Sequence, residues 1–224
     1  MESVKDLLGE TAANLVKNND IVGLGTGSTA NHFIKHLAKR CTNGLSIKAI
    51  ASSMSSFQLA RSLQIPLIDY DKTDVIDIYV DGADQVDEKK QMIKGLGGAL
   101  LREKILAVNS KKRIIMIEQK KLVPFLGNCI LPVEIVQFGY PFTKKILQEY
   151  GYNSNLRRNK DSSVFLTDNN NYILDITLPN FLHNPKNDHQ IIKNIPGIVE
   201  TGLFIDICDA ILIGSENQKI QTIS

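Results

Sequence analysis

Between Val4 and Glu118 the chain changes period repeatedly: apolar residues spaced three and four apart give way to short unbroken β-rich runs, and then return. A helix is expected over residues 4–15, where Val4, Leu7, Leu8, Thr11, Ala12 and Leu15 share one face. Asn18-Asn19-Asp20 breaks that pattern ahead of a buried strand over residues 21–24. The alternation continues with a helix over 30–40, a strand over 46–52 and a helix over 57–63. Beta-rich runs follow at 65–70, 75–80 and 113–118, with a helix over 99–109 between the last two. Strands separated by helical crossovers pair in parallel, and the crossovers cover both faces of the sheet. Ligands of such sheets bind beyond the carboxyl ends of the strands.

The rhythm changes near Pro124–Pro132. Beyond it the pattern reads strand (132–137), helix (141–150), strands (153–158 and 171–178), helix (188–194) and strand (197–204). That βαββαβ order is the ferredoxin-like arrangement. The tail at 209–214 looks like one more strand of the first sheet, which makes the small domain an insertion. The expected fold is therefore α/β: a Rossmann-like, mainly parallel sheet with helices on both faces, plus an inserted ferredoxin-like α+β small domain. The boundaries expected are 1–127 and 205–224 for the first domain and 128–204 for the second.

Composition narrows the function. With 43% hydrophobic and 22% charged residues and a formal charge of +2, the chain has no excess of cations with which to coat a polyanion. The basic runs Lys111-Lys112-Arg113 and Arg157-Arg158 are short and read as solvated faces, and with no Trp there is no base-stacking platform, so no nucleic acid partner is expected. The N-terminal stretch MESVKDLLGETAANLV is interrupted by charge every few residues, so neither a signal peptide nor a membrane span is expected and the protein should stay in the cytosol. Cys41, Cys129 and Cys208 are odd in number and widely separated, which points to buried free thiols rather than a disulfide framework or zinc site. His32 and His36 lie four apart without the glutamate of a metalloprotease helix, so no metal site is expected there.

Three stretches carry chemistry. Gly23-Leu-Gly-Thr-Gly-Ser-Thr29 lies between a strand and a helix, but Ser28 stands where a dinucleotide fingerprint needs glycine, and no Gly-Lys-Ser/Thr follows. It still suits an anion: glycines admit close approach, a helix N-terminus supplies N–H groups, and Thr26, Ser28 and Thr29 add hydroxyls. DGADQVD (81–87) ends a strand with three carboxylates in one short turn, a cluster that repels itself unless water, a cation or a substrate shares it. Lys94-Gly-Leu-Gly-Gly-Ala-Leu-Leu-Arg-Glu-Lys104 runs from a glycine-rich loop into a helix carrying Glu103. Read singly, each has a plainer explanation: a tight turn, a solvated loop with Asp as turn former or cap, and a solvated helical face. Read together, a phosphate cradle, several carboxylates and one lysine suit proton transfer on a phosphorylated small molecule.

The ordered set GLGTGSTA, DGAD, KGLGGALLREK, LPVEIV and IPGIVETGLF resembles the ribose-5-phosphate isomerases of the A type, over nearly the whole chain. The resemblance implies interconversion of D-ribose 5-phosphate and D-ribulose 5-phosphate in the non-oxidative pentose phosphate pathway. It further implies no metal or organic cofactor and a homodimer or homotetramer. By motif, Glu103 is the base acting through an enediolate, Asp81 assists ring opening, and Asp84 holds sugar hydroxyls. Lys94 and the backbone of Gly95, Leu96, Gly97 and Gly98 stabilise oxyanion charge, while Thr26, Gly27, Ser28 and Thr29 grip the phosphate with Lys121. A glutamate with the reference pKa of about 4.3 is a weak base for a carbon acid, so such electrophilic help is needed.

Asp87 has no role in that pattern and reads as a turn or cap residue. The chain departs from the family's usual motifs at Leu96, at Glu118-Gln119-Lys120 and at Asn170. Two other readings are a coenzyme A transferase, for which the chain is short, and a sugar-phosphate sensor, which would have no need of Glu103.

Overall fold

The computed structural model describes residues 3–224. In chain order the elements are helix α1 (Val4–Ala13), strand β1 (Ile21–Leu24), α2 (Ser28–Thr42), β2 (Lys48–Ala51), α3 (Met54–Ser62) and β3 (Ile76–Gly82). Two short strands, β4 (Gln85–Val86) and β5 (Met92–Ile93), precede α4 (Leu100–Val108) and β6 (Ser110–Glu118). Then come β7 (Gly127–Ile135), α5 (Tyr140–Glu149), β8 (Ser154–Leu156), β9 (Tyr172–Phe181), α6 (Pro185–Lys193) and β10 (Ile198–Thr201). The chain closes with β11 (Leu203–Phe204), β12 (Ala210–Gly214) and β13 (Ile220–Ile223).

Contacts divide the chain into two units: residues 1–83, 102–122 and 207–224 in the first, 84–101 and 123–206 in the second. The segment 84–101 thus groups with the second unit, whereas the sequence boundaries put it with the first.

The first unit is built on a sheet in the order β13-β12-β6-β3-β1-β2, in which every pair but β12–β13 is parallel. This is the mainly parallel sheet expected, and β12 joins it beside β6 as the tail pattern implied. Leu8 and Ala12 of α1 and Phe33 and Leu37 of α2 pack with Val22, Val80, Met116 and Leu212 in one core. Leu106 and Ala107 of α4 join Ile50, Ile76 and Tyr79 in a separate cluster. Each fully buried aliphatic or aromatic side chain contributes about 1.5–3 kcal/mol. Of the basic run at 111–113, Arg113 is no solvated face: its guanidinium grips both Asp209 oxygens at 2.7 and 2.8 Å and ties β6 to the start of β12.

The expected strand at 65–70 is not formed. Leu67 makes one bridge to Ala49, and the chain then turns through a 3-10 segment at Tyr70–Lys72. Pro66 has no N–H to extend a ladder, which limits the pairing to that bridge. Strands β4, β5, β11 and β13 are short and carry no periodicity to find. The expected strand at 197–204 is split at Gly202, because β11 pairs with β5 rather than with β7.

The second unit holds a four-stranded antiparallel sheet in the order β10-β7-β9-β8, the spatial order of a ferredoxin-like βαββαβ unit. Leu131, Val133, Leu174 and Ile176 from its strands close over Leu147 of α5 and Ile192 of α6. A three-stranded sheet, β11-β5-β4, completes it.

Candidate active site

In the first unit β1 passes through Gly25-Thr26-Gly27 directly into α2. Gly25 is required by a close approach: a Cβ there would stand 2.1 Å from the carboxyl carbon of Asp81, at the end of β3. The Asp81 carboxylate is fully buried (0% exposed). Its Oδ1 accepts from the Thr26 N–H at 3.0 Å and the Gly82 N–H at 2.7 Å, and its Oδ2 accepts from the Tyr79 hydroxyl at 2.5 Å. Burying a carboxylate costs several kcal/mol. Hydrogen bonds to a charged acceptor, each worth roughly 1.5–3 kcal/mol, offset that cost and fix its direction.

Glu103 lies in the first turn of α4 and is 3% exposed. Tyr79 donates to Asp81 and feels the charge of both acids. Its hydroxyl pKa is pushed well above the ordinary value, first by burial, then by the Asp81 and Glu103 carboxylates. Tyr79 therefore remains a hydrogen-bond donor at neutral pH.

The residues expected to cradle a phosphate are arranged as a helix N-terminus requires. Gly27 and Ser28 are exposed at the start of α2, while Thr29 is buried behind them. The side chain of Thr26 faces a serine cluster: its Oγ1 lies 2.8 Å from Ser52 Oγ and donates to Ser53 Oγ at 2.8 Å, while Ser56 Oγ donates to the Gly25 carbonyl at 2.6 Å. Ser53 also caps α3 by accepting from the Ser56 N–H at 3.1 Å. The signal for these residues was the hydroxyl-rich turn Ser52-Ser-Met-Ser-Ser56, a second strand-to-helix junction beside the first.

Lys5 gives no such signal, being one lysine on an amphipathic helix, yet its ammonium donates to Ser28 Oγ at 3.0 Å. Lys121 donates to the Ala83 carbonyl at 2.6 Å, beside the Asp81 turn. The Glu118-Gln119-Lys120 departure forms the β6 end and a single 3-10 turn, Gln119–Lys121, that carries Lys121. His32 Nδ1 and His36 Nε2 both lie on Asp6 Oδ1, at 2.9 and 3.1 Å, and so join α2 to α1.

In the second unit the Asp84 N–H donates to the Ile93 carbonyl at 2.9 Å, and Asp84 Oδ2 accepts from the Leu96 N–H at 3.1 Å. Lys94 is 3% exposed; its N–H donates to the Gly202 carbonyl at 2.9 Å, and its ammonium lies 5.4 Å from the centre of the Phe204 ring. Gly98 has φ +81° and closes the turn with an N–H bond to the Gly95 carbonyl at 3.0 Å. Leu96 keeps a negative φ and an exposed side chain, so its substitution for glycine imposes no backbone strain.

Asn170 sits at φ +59°, in the left-handed region that Asn tolerates. Asp87 accepts from the Lys89 and Gln91 N–H groups at 3.0 and 2.8 Å and so shapes the turn between β4 and β5. The cysteines are free but half-buried rather than buried. No helix of the described residues is long and apolar enough to cross a membrane.

These features sit in a chain with extensive relatives. Residues 48–218 match the family model of ribose 5-phosphate isomerase A (phosphoriboisomerase A). The ribose-5-phosphate isomerase A of Bacillus mycoides is 46% identical over 217 residues, covering 97% of this chain and 98% of the relative. The solved ribose 5-phosphate isomerase of Plasmodium falciparum superposes with a TM-score of 0.96 at 32% identity, covering 100% of this chain and 99% of that one. A solved D-ribose-5-phosphate isomerase in complex with phospho-erythronic acid matches with a TM-score of 0.94 at 30% identity, over 99% of this chain and 97% of that one. Sequence and backbone agree from end to end, and the chain belongs to the ribose 5-phosphate isomerase A family.

Proposed function

We propose that the chain interconverts D-ribose 5-phosphate and D-ribulose 5-phosphate through an enediolate, with Glu103 as the base. The observation that carries this reading is the pair of buried acids, Asp81 held by the Tyr79 hydroxyl at the end of β3 and Glu103 in the first turn of α4, in a chain of this family. In the forward direction Glu103 takes the proton from C2 of the open-chain aldose. The C–H electron pair forms the C1–C2 double bond, and the carbonyl oxygen on C1 takes up the negative charge. Transfer of the hydroxyl proton from the oxygen on C2 to the oxygen on C1, with return of the carbon-bound proton from Glu103 to C1, gives the ketose and restores the base. A positioned base supplies roughly 10² to 10⁴-fold, so charge stabilisation must supply much of the rest.

Lys94 and the Gly95–Gly98 backbone stabilise that oxyanion in this reading. Asp81 exchanges protons with the ring hydroxyls to open the furanose, and Asp84 holds sugar hydroxyls. The phosphate is gripped by Thr26, Gly27, Ser28 and Thr29, supported by the exposed N-terminus of α2, with Lys121 and also Lys5, whose contact with Ser28 brings a cation to the cradle. The reaction uses neither metal nor organic cofactor, and it runs in the cytoplasm as a step of the non-oxidative pentose phosphate pathway.

The protein works as a homodimer or homotetramer, with the small domain serving subunit contact. Phe138 in the turn before α5 and Phe142 in its first turn, 93% and 75% exposed, are apolar side chains that support this. Sedimentation of the wild type as a fully active monomer would remove that part of the reading.

The central test follows ribose 5-phosphate turnover in EDTA for wild type and Glu103→Gln. Metal-free wild-type activity and a drop of at least about a hundredfold in the variant, with sugar-phosphate binding retained, support the reading. A wild type that binds ribose 5-phosphate and does not turn it over overturns it.

A further inference from the structure

The pattern Arg157-Arg158 predicts a solvated basic pair, and that expectation holds only for Arg158, which is exposed and donates to the Ser162 carbonyl at 2.7 Å. The Arg157 side chain is 12% exposed. Its guanidinium meets Asp175 of β9 as a fork, Nε to Oδ2 at 2.9 Å and Nη2 to Oδ1 at 2.5 Å. The remaining nitrogen, Nη1, donates to two consecutive carbonyls of the glycine-rich turn, Gly95 at 3.1 Å and Leu96 at 3.0 Å. The guanidinium also lies 5.7 Å from the centre of the Phe165 ring, and a Cβ on Gly98 would stand 2.5 Å from an atom of that same ring. One ion pair and one aromatic ring, both from the β8–β9 region, therefore hold the turn from Gly95 to Gly98.

The need for a clamp follows from composition. Three of the five residues from Lys94 to Gly98 are glycine, the residue that loses most conformational freedom on ordering. Hydrogen bonds within the turn, such as Gly98 N–H to Gly95, close it but do not aim it. On one side Asp84 takes the Leu96 N–H; on the other Arg157 takes the Leu96 and Gly95 carbonyls, so the Leu96 peptides are held from both ends.

We propose that Arg157, oriented by Asp175, is a positioning residue for the isomerase reaction. It fixes the Lys94–Gly98 backbone in the orientation that meets the developing enediolate oxyanion. The inference rests on the role given above to that turn. It also explains why the position should need arginine: lysine carries the charge but cannot hold a carboxylate as a fork while donating to two further acceptors.

A positioning role and a merely structural one separate in the kinetics. In Arg157→Lys, assayed well below its melting midpoint so that the folded fraction is close to one, kcat for ribose 5-phosphate is expected to fall roughly 10- to 100-fold. KM should move by less than about threefold, because the lost interaction is one made in the transition state. Asp175→Asn, which keeps the guanidinium and loosens its fork, should lose less than Arg157→Lys. Arg158→Ala, which removes the neighbouring charge, should match wild type.

Arg157→Lys with kcat within about threefold of wild type overturns the inference, whatever happens to its melting midpoint. So does a change confined to KM. A wild type inactive on ribose 5-phosphate would instead overturn the role given to the turn, which keeps the two failures distinct. Should Arg157→Lys fold poorly, Asp175→Asn decides by the same criterion.

Discussion

The turns at Gly23–Thr29 and Lys94–Gly98 are both glycine-rich, and both lead from a strand region toward a helix, but they are held by different means. The first runs straight into a helix and is aimed by one buried acid of the neighbouring strand. Its Gly25 lies against the Asp81 carboxylate, its Thr26 N–H points to that carboxylate, and its last residues are already the first turn of α2. The second is held through its carbonyls, by Arg157, 61 and 62 residues away in sequence, and by the ring of Phe165. The difference follows from what each turn adjoins. A turn that becomes a helix gets its rigidity from the helix ladder and needs one buried acid to aim it. A turn with several soft residues before its helix needs side chains from elsewhere in its own unit.

Gly25→Ala tests the first plan and should have the largest effect. The added Cβ meets the Asp81 carboxyl at 2.1 Å, so the acid must leave its donors. We expect kcat/KM for ribose 5-phosphate to fall by about 100-fold or more, with a lower melting midpoint. Near-normal kinetics would show that the Asp81 position is not set by the turn.

Gly98→Ala tests the second plan. The new methyl meets the Phe165 ring at 2.5 Å on a backbone at φ +81°. A ring at the end of a flexible side chain can give way, so the expected loss is smaller, about tenfold in kcat, with about 1–2 kcal/mol of stability lost to the strained φ. An effect as large as that of Gly25→Ala would break the distinction between the two turns.

Tyr79→Phe sharpens the account of Asp81 by deleting one of its donors, and kcat should fall about three- to tenfold. Its clearer signature is in the pH dependence of stability. Burial and the two acids raise the Tyr79 pKa in the folded chain, so this hydroxyl stays protonated where that of the unfolded chain ionises, near pH 10. Its contribution to stability is therefore complete below about pH 10 and shrinks as pH rises further. The variant should lose stability less steeply there, by up to about 1.4 kcal/mol per pH unit in denaturant titrations. Parallel curves above pH 10 would refute this.

The last prediction leaves turnover untouched and concerns β7 of the second unit. Burial pushes the Cys129 thiol up to about 11, with Asp84 adding to the shift. At pH 8 iodoacetamide should therefore label it about two orders of magnitude more slowly than an unhindered thiol of pKa about 8.5. Rapid labelling would mean that this strand opens readily.

Much of this was legible without coordinates because it is local. The parallel α/β sheet followed from the alternation of periods along 4–118, and the βαββαβ unit from the element order after Pro132. The glycine-rich turns and DGAD followed from residue types that few other environments accept. The failures were equally local in origin. Residues 65–70 have strand composition, but Pro66 allows only a single bridge, and the short strands have no period at all.

Residue types and their spacing supply the list of chemical groups and the order of elements that presents them: Asp81 at the end of a strand, Glu103 at the start of a helix, and hydroxyls and glycines at a helix N-terminus. Which distant groups hold those in place is settled only by packing. Tyr79 looks like any core aromatic until its hydroxyl is found on Asp81, and Lys5 like any helical lysine until it meets Ser28. Arg157 looks like half of a solvated pair until Asp175 and two carbonyls surround it. The physical reason is that side-chain chemistry and periodicity are properties of neighbouring residues. The partner of a buried polar group is chosen by packing, which brings together residues that nothing in their own segments marks as a pair.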